Sequence, residues 1–251
     1  MNFKEKTVLI TGSGSGIGRA AAIMFAEKGA DIMVSDINEK GGLETVAMVE
    51  AKGQRAAFCK ADVSNLKQVK NLVQQTVDIF GKVDIAVNNA GIGGDFKITH
   101  EYSVENWDKV IAINQTGVFY CMQAELEQMV KQGTGGAIVN IASIAGLKAQ
   151  PYTAAYTAAK HAVVGLTKTA AHEYARHKIR VNAVCPVFTM TPMVKDMLTI
   201  DPTFEKKLLR NIPLRRYGQP DDIANAIVWL CAEETGFVTG HSMPVDGGMT
   251  A

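Results

Sequence analysis

The chain has 251 residues, 47% of them hydrophobic and 20% charged, which is enough apolar material for one large α/β domain. Lysine and arginine number 26 against 25 acids, for a formal net charge of +1. So even a balance argues against a nucleic-acid binder or a membrane-surface protein, both of which carry a basic excess. Cys59, Cys121, Cys185 and Cys231 are scattered with no C-x-x-C pair, which suits free thiols in a reducing compartment better than a disulfide frame or a zinc site. The first residues run straight into a strand without a signal-peptide pattern, and no apolar run is long enough to span a bilayer. The expected location is therefore cytoplasmic, and the Asn114-Gln115-Thr116 sequon is expected to carry no glycan.

In chain order, short β-branched runs alternate with longer helical stretches. Strands are expected at 7–11, 31–35, 55–60, 83–87, 137–141, 179–184 and 242–245, and helices at 17–28, 39–52, 104–131 and 153–177. Repeated β-α-β units with nearly continuous apolar strands imply a parallel sheet covered on both faces. Right-handed crossovers make that sheet doubly wound. No linker or composition shift divides the chain, so a single Rossmann-type domain is expected. One segment breaks the rhythm: 188–212 follows a strand and holds two Met- and Leu-rich pieces bounded by prolines. It leaves the sheet at the carboxyl ends of the strands, where a substrate lid would sit; an ordinary surface helix pair is the alternative.

The first strand ends in Thr11-Gly12-Ser13-Gly14-Ser15-Gly16-Ile17-Gly18, and a helix follows at once. The glycine spacing is G-x-x-x-G-x-G, from Gly12, Gly16 and Gly18. Glycines let the backbone approach a pyrophosphate, and the helix terminus offers it N–H donors and a favourable dipole. Position raises the weight of this motif, because it opens a βαβ unit. The second strand ends in Asp36, eighteen residues past Gly18. A carboxylate there accepts hydrogen bonds from the adenosine ribose hydroxyls and repels a 2′-phosphate. Ile37 and Asn38 follow it, and Ser15 brings no charge to the loop, so NAD is expected over NADP. Capping of the next helix is the plainer role for Asp36. Asp62-Val63, at the end of the third strand, would meet the adenine, with Asp62 alternatively capping the helix that follows.

Tyr156 and Lys160 stand at i and i+4 and share one helix face. Ser143 lies thirteen residues before Tyr156, Asn88-Asn89-Ala90-Gly91 ends the fourth strand, and Asn114 falls in the helix after it. With T-G-x-x-x-G-I-G at the start and Val245-Asp246-Gly247-Gly248 at the end, this ordered set resembles the short-chain dehydrogenase/reductase family over essentially the whole chain. The resemblance implies a seven-stranded, mostly parallel sheet and an oxidoreductase that moves hydride between a nicotinamide and a secondary alcohol or ketone. It implies that Tyr156 is the acid/base and that Lys160 lowers its pKa and holds the nicotinamide ribose. A free tyrosine titrates near about 10, and a neighbouring cation brings that down. Ser143 would stabilise charge on the substrate oxygen, and Asn114 would hold a water that relays protons from Lys160. Asn89, Ala90 and Gly91 would border the cofactor. A homotetramer is the implied assembly, with Ala154, Ala155, Ala158, Ala159 and Ala162 permitting close helix contact.

The chain departs from the family pattern at Pro186-Val187, where Pro-Gly is usual. A β-branched residue narrows the wall beside the nicotinamide. Contacts to the cofactor are expected from Pro186, Val187, Thr189 and Thr191. The substrate pocket is expected to be lined by Gly93, Ile144, Ala145, Gln150, Phe188 and Met193, a mainly apolar set that disfavours a highly anionic substrate. The histidines have no metal-ligand spacing, so no metal is expected. Two rival functions remain: an NADPH-dependent 3-oxoacyl thioester reductase, which would want a basic phosphate loop and no acid at 36, and a non-catalytic dinucleotide-sensing regulator, which would want one catalytic member missing.

Overall fold

Strands that read as unbroken apolar runs need cover on both sides, and they have it. In the computed structural model, which describes residues 1–195 and 209–251, every residue of β1 (Thr7–Thr11) and β4 (Ile85–Asn88) is buried. β2 (Asp31–Asp36), β3 (Ala56–Lys60), β5 (Gly136–Ile141), β6 (Ile179–Pro186) and β7 (Ser242–Val245) extend these into one seven-stranded sheet, ordered β3-β2-β1-β4-β5-β6-β7. All its pairings are parallel, where the sequence reading allows for a mixed sheet. Strand order reverses between β1 and β4, with Thr11 opposite Asn88. The crevice beyond the carboxyl ends of two such strands is where a doubly wound sheet takes its ligand.

Alternation along each strand divides the core into two layers. Leu9, Met33, Ala86 and Ile138 face α3 (Leu66–Phe80), α5 (Gly117–Gln132) and α6 (Ala154–Tyr174), packing with Leu72, Met129 and Val163. Val8, Ile10, Ile32 and Val139 face α1 (Gly16–Glu27), α2 (Glu39–Glu50) and α7 (Pro220–Cys231), packing with Phe25, Val49 and Ile227. The sequence reading does not single out α7. Its start is set by Pro220 in the first turn and by the Asp222 carboxylate, which accepts the Gln219 N–H at 2.8 Å.

The helix expected as continuous over 104–131 is broken. α4 (Val104–Ile111) leads into a π-helical turn, Ala112–Thr116, before α5 begins. The Gly117 N–H reaches back five residues to the Ala112 carbonyl, and the extra residue leaves the regular i to i−4 ladder one partner short. Asn114 sits in this turn, fully buried. Of the segment expected as a lid, 196–208 lies outside the described residues. Its flanks are fixed to the body: Met190 N–H donates to the Gly218 carbonyl at 2.9 Å, and Met190 and Leu209 pack on the buried cluster of Ile144, Val187, Ile212 and Tyr217.

A polar seam crosses the core below the crevice. Asn88 Nδ2 donates to Glu125 Oε2 at 2.9 Å and to Asn140 Oδ1 at 3.0 Å, and Asn140 Nδ2 donates to Thr167 Oγ1 at 2.9 Å. It ties β4 and β5 to α5 and α6. Glu125 is only 1% exposed, and burial pushes its carboxyl from 4.5 up to about 7, the Asn88 hydrogen bond opposing this. The folded chain therefore binds this proton more tightly than the unfolded chain. The stability it contributes is complete below 4.5 and is lost as pH rises through about 7. Glu125→Gln keeps an acceptor for Asn88 and removes the titration. It is expected to flatten the loss of stability across this range and to leave the protein about 1–3 kcal/mol more stable than wild type at pH 8. Urea unfolding at several pH values measures this, and parallel curves for the two proteins would contradict it.

Candidate active site

The loop after β1 is shaped by how closely it lies against the turn after β4. Thr11 Oγ1 accepts the Asn89 and Ala90 N–H groups at 3.1 and 3.2 Å, and Asn89 Nδ2 donates to the Thr11 and Gly12 carbonyls at 3.0 and 2.8 Å. A Cβ on Gly12, whose φ is +63°, would meet Ala90 Cα at 2.8 Å, and one on Gly18 would meet the Gly12 carbonyl oxygen at 2.5 Å. Gly16 takes φ +54° directly under Thr191, whose Cγ2 lies 3.2 Å from where a Cβ would be. The predicted glycines are thus required by backbone packing, and they leave the first turn of α1 bare. Ser15 is exposed there and makes no cap hydrogen bond, while Ile17 packs on the core layer beneath. Ser13, absent from the expected set, is the loop's internal anchor: its hydroxyl donates to the Ile10 carbonyl and accepts the Ser35 N–H.

Asp36 ends β2 beside this loop. Oδ2 accepts the Gly14 N–H and Oδ1 the Asn38 N–H, each at 2.8 Å. The helix cap is Asn38, which accepts the Gly41 N–H, so Asp36 is not the cap, and its carboxylate keeps acceptor capacity on both oxygens. Nor does Asp62 cap the next helix. It accepts from the Ser64 N–H and hydroxyl, and Asn65 caps α3. Val63 is buried against Gly117.

The second group of residues lies where β5 and β6 end. Ser143 is held in extended backbone, its hydroxyl accepting the Ala145 N–H at 3.1 Å and donating to the Pro186 carbonyl at 3.5 Å. Lys160 is 3% exposed; Nζ donates to the Ile141 carbonyl at 2.7 Å and stands 5.5 Å above the Tyr156 ring. Burial pushes Lys160 down to about 8. Burial also raises the Tyr156 phenol, while its hydrogen bond with Ser143 draws it back. Asn114 is brought near: a Cβ on Gly91 would touch Asn114 Oδ1 at 3.1 Å and Lys160 Nζ at 3.8 Å. The Asn114 amide is committed on both sides, however, accepting the Ile92 N–H at 2.8 Å and donating to the Ile92 carbonyl at 2.7 Å. Its side chain therefore serves to clamp the loop after β4.

The expected pocket residues divide. Gly93 faces Met193, whose side chain begins 3.8 Å from a Cβ built on the glycine. Phe188 is partly buried against the Val187 cluster. Ile144 is 3% exposed and Ala145 has no exposed surface, so Ala145 backs the wall instead of lining it. The Gln150 carbonyl accepts the Thr153 hydroxyl at the start of α6. Val187 needs no special backbone, having no positive φ, and its side chain fills the apolar cluster. Thr189 is buried, donating to the Val187 carbonyl. Phe96 and Tyr152, which the sequence reading passes over, pack as a tilted pair 4.9 Å apart where the loop after β4 meets the segment before α6. Neither carries a motif that would have marked it.

The fold and the paired loops have relatives. A family model described as enoyl-(acyl carrier protein) reductase matches residues 12–250. An uncharacterized oxidoreductase of Thermotoga maritima is 45% identical, covering 100% of both chains. A 2,5-dichloro-2,5-cyclohexadiene-1,4-diol dehydrogenase of Sphingobium indicum is 42% identical over 100% of this chain and 99% of its own. Among solved structures, an NAD+-bound xylitol dehydrogenase superposes with a TM-score of 0.95 at 34% identity, over 99% of this chain and 100% of that one. The chain belongs to the short-chain dehydrogenase/reductase family. It is an oxidoreductase of the alcohol–carbonyl couple.

The loop contact supplies a test. Gly18→Ala places a methyl against the Gly12 carbonyl and 2.6 Å from Asn89 Nδ2. It is expected to weaken binding of a reduced nicotinamide dinucleotide by about tenfold or more and to cost about 1–3 kcal/mol of stability. Fluorescence titration and urea unfolding read the two effects; wild-type affinity in this variant would mean the loop does not need its close approach.

Proposed function

We propose that the chain is an NAD-dependent alcohol dehydrogenase/ketoreductase with Tyr156 as its acid/base. The observation that carries this reading is the convergence of buried Ser143 and Lys160 on half-buried Tyr156, with Lys160 Nζ 5.5 Å above its ring. Gly91 links that group to the turn against the phosphate loop. The cradle fits a dinucleotide: Gly12, Ser15, Gly16, Ile17 and Gly18 would take the pyrophosphate, Asp36 the adenosine ribose, and Asp62 and Val63 the adenine. Asn89, Ala90, Gly91, Pro186, Val187, Thr189 and Thr191 would border the nicotinamide half. The choice of NAD is supported by the acceptor capacity of Asp36 and by the uncharged, exposed Ser15 and Ile37 beside it.

When bound, the nicotinamide supplies the hydride acceptor or donor. Tyr156 takes the hydroxyl proton in oxidation and returns it in reduction. Lys160 holds the phenolate by its charge, which it keeps at neutral pH. Ser143 donates to the substrate oxygen as charge develops there. Asn114, whose side chain makes one bond each way with Ile92, would hold the water that relays protons from Lys160. The substrate is a neutral secondary alcohol or ketone, cyclic diols included. The described part of the expected lid would border it through Met190 and Met193.

The acyl thioester reductase reading lacks the basic phosphate loop it would want, and the regulator reading lacks the missing catalytic member. Four buried free cysteines support a reducing, cytoplasmic setting. Half-exposed Trp107 on α4, Phe119 on α5 and Trp229 on α7 support a homotetramer.

Titration with NADH and NADPH comes first. Tighter NADH binding is expected, and tighter NADPH binding would move the thioester reductase reading to the front. Tyr156→Phe is then expected to bind NADH as wild type does and to lose at least about a thousandfold in kcat; retained turnover sinks the mechanism. Because burial raises the Tyr156 phenol, kcat/KM for alcohol oxidation is expected to climb toward alkaline pH and that for carbonyl reduction to fall. Profiles that slope the opposite way would remove Tyr156 from the proton transfer.

A further inference from the structure

A closed circuit of hydrogen bonds around Asp36 gives a role to Arg19, which lies outside every motif described above. Arg19 stands in the first turn of α1, and its guanidinium passes beneath the loop to α2. One terminal nitrogen is shared among the Gly14 carbonyl, the Gly41 carbonyl at 3.0 Å and Glu44 Oε2 at 3.0 Å, while Nε donates to Thr45 Oγ1 at 2.9 Å. At its other end, Gly14 gives its N–H to Asp36 Oδ2 at 2.8 Å. Asp36 Oδ1 accepts the Asn38 N–H at 2.8 Å, and Asn38 Oδ1 accepts the Gly41 N–H at 3.2 Å. The circuit runs Asp36, Gly14, Arg19, Gly41, Asn38 and back to Asp36.

Gly14 is the weak link, because a glycine has the widest backbone freedom of any residue. It cannot be replaced by a stiffer residue: a Cβ there would lie 2.8 Å from Asp36 Oδ2. The chain instead fixes it from both ends, with Asp36 on its N–H and Arg19 on its carbonyl. The guanidinium reaches the loop and three points on α2 from two nitrogens held in one plane, Nε on Thr45 and a terminal nitrogen on the rest; an ammonium has one nitrogen and no such plane.

We propose that Arg19 is a positioning residue for cofactor selection: by pinning Gly14 it holds the Asp36 carboxylate in the orientation that the adenosine ribose meets. The proposal rests on the reading of Asp36 as the ribose ligand. Loss of Arg19 then falls on NADH, whose ribose uses the carboxylate, and spares NADPH, which the carboxylate repels in any orientation.

The test is a four-protein cycle of wild type, Arg19→Met, Asp36→Asn and the double variant, with NADH and NADPH dissociation constants read by nicotinamide fluorescence and folding checked by thermal melting. Arg19→Met is expected to weaken NADH about tenfold and NADPH less than about twofold, and in the Asp36→Asn background to change NADH binding less than about twofold. Arg19→Lys is expected to recover less than about half of the loss. Equal weakening of both cofactors, or a full loss that persists without Asp36, overturns the proposal. Should Arg19→Met fail to fold, Glu44→Ala, which removes one half-exposed acceptor of the guanidinium, is expected to shift the NADH/NADPH ratio about two- to threefold in the same direction. An unmoved ratio overturns the proposal equally. Tighter NADPH binding by wild type would instead overturn the ribose reading of Asp36, while the coupling of Arg19 to Asp36 in the cycle still decides the positioning role.

Discussion

The site depends on one close approach, that of the loop after β1 to the turn after β4. Two hydrogen bonds onto the Thr11 hydroxyl and two from the Asn89 amide draw these backbones together at the point where strand order reverses. Only residues without a Cβ fit between them, so the glycine spacing records the contact as much as any ligand. The same approach opens the crevice. With the loop held inward at Gly12, α1 starts with its unsatisfied N–H groups facing the space above the strand ends. The circuit through Gly14, Asp36 and Arg19 extends that order outward to the end of β2.

Burial governs the other end of the cleft, and there it works in two directions. It lowers Lys160 to about 8 and raises Tyr156, so two groups that titrate close together in water are driven apart, the lysine releasing its proton below the phenol. A solvated lysine would hold its proton too firmly to relay it, and a more deeply desolvated one would lose the charge that supports the phenolate. The Ile141 carbonyl, accepting from Nζ at 2.7 Å, helps keep the ammonium charged inside the protein. The polar seam beneath, through Asn88, Glu125, Asn140 and Thr167, secures the strand ends that carry this carbonyl and the Asn89 turn.

The strands and the phosphate loop were legible because their signals are local: apolar runs of strand length, and glycines at fixed offsets between a strand and a helix. The family was legible through the order of its motifs along the chain. What the sequence withholds comes from tertiary contacts. The π-helical turn at Ala112–Thr116 leaves no mark on a continuous 3.6-residue pattern. The commitment of Asn114 to Ile92 depends on a loop more than twenty residues away in sequence. Arg19 reads as a solvated residue of a helix face until α2 is set beside it. Capping shows the same limit: Asp36 and Asp62 stand where a cap is plausible, yet Asn38 and Asn65, two and three residues further on, make the cap hydrogen bonds.

Val187 joins the fixed part of the site to its variable part. Where a glycine would leave space beside the cofactor, the valine side chain packs with Ile144, Ile212 and Tyr217, so the wall that follows β6 shares an apolar cluster with the residues just beyond 196–208. Among the described residues, three charged side chains of the loops nearby are already engaged. Asp95 accepts from Asn106, Lys148 reaches the Met249 carbonyl, and Asp246 accepts from Gly248 and Thr250. The described surface at the Val187 cluster, with Phe188, Met190 and Ile144, is methionine, phenylalanine and aliphatic. An ionic substituent would give up its hydration there without gaining a counter-ion, whereas an uncharged ring or chain bearing one hydroxyl or carbonyl would gain apolar contact and keep its hydrogen bonds.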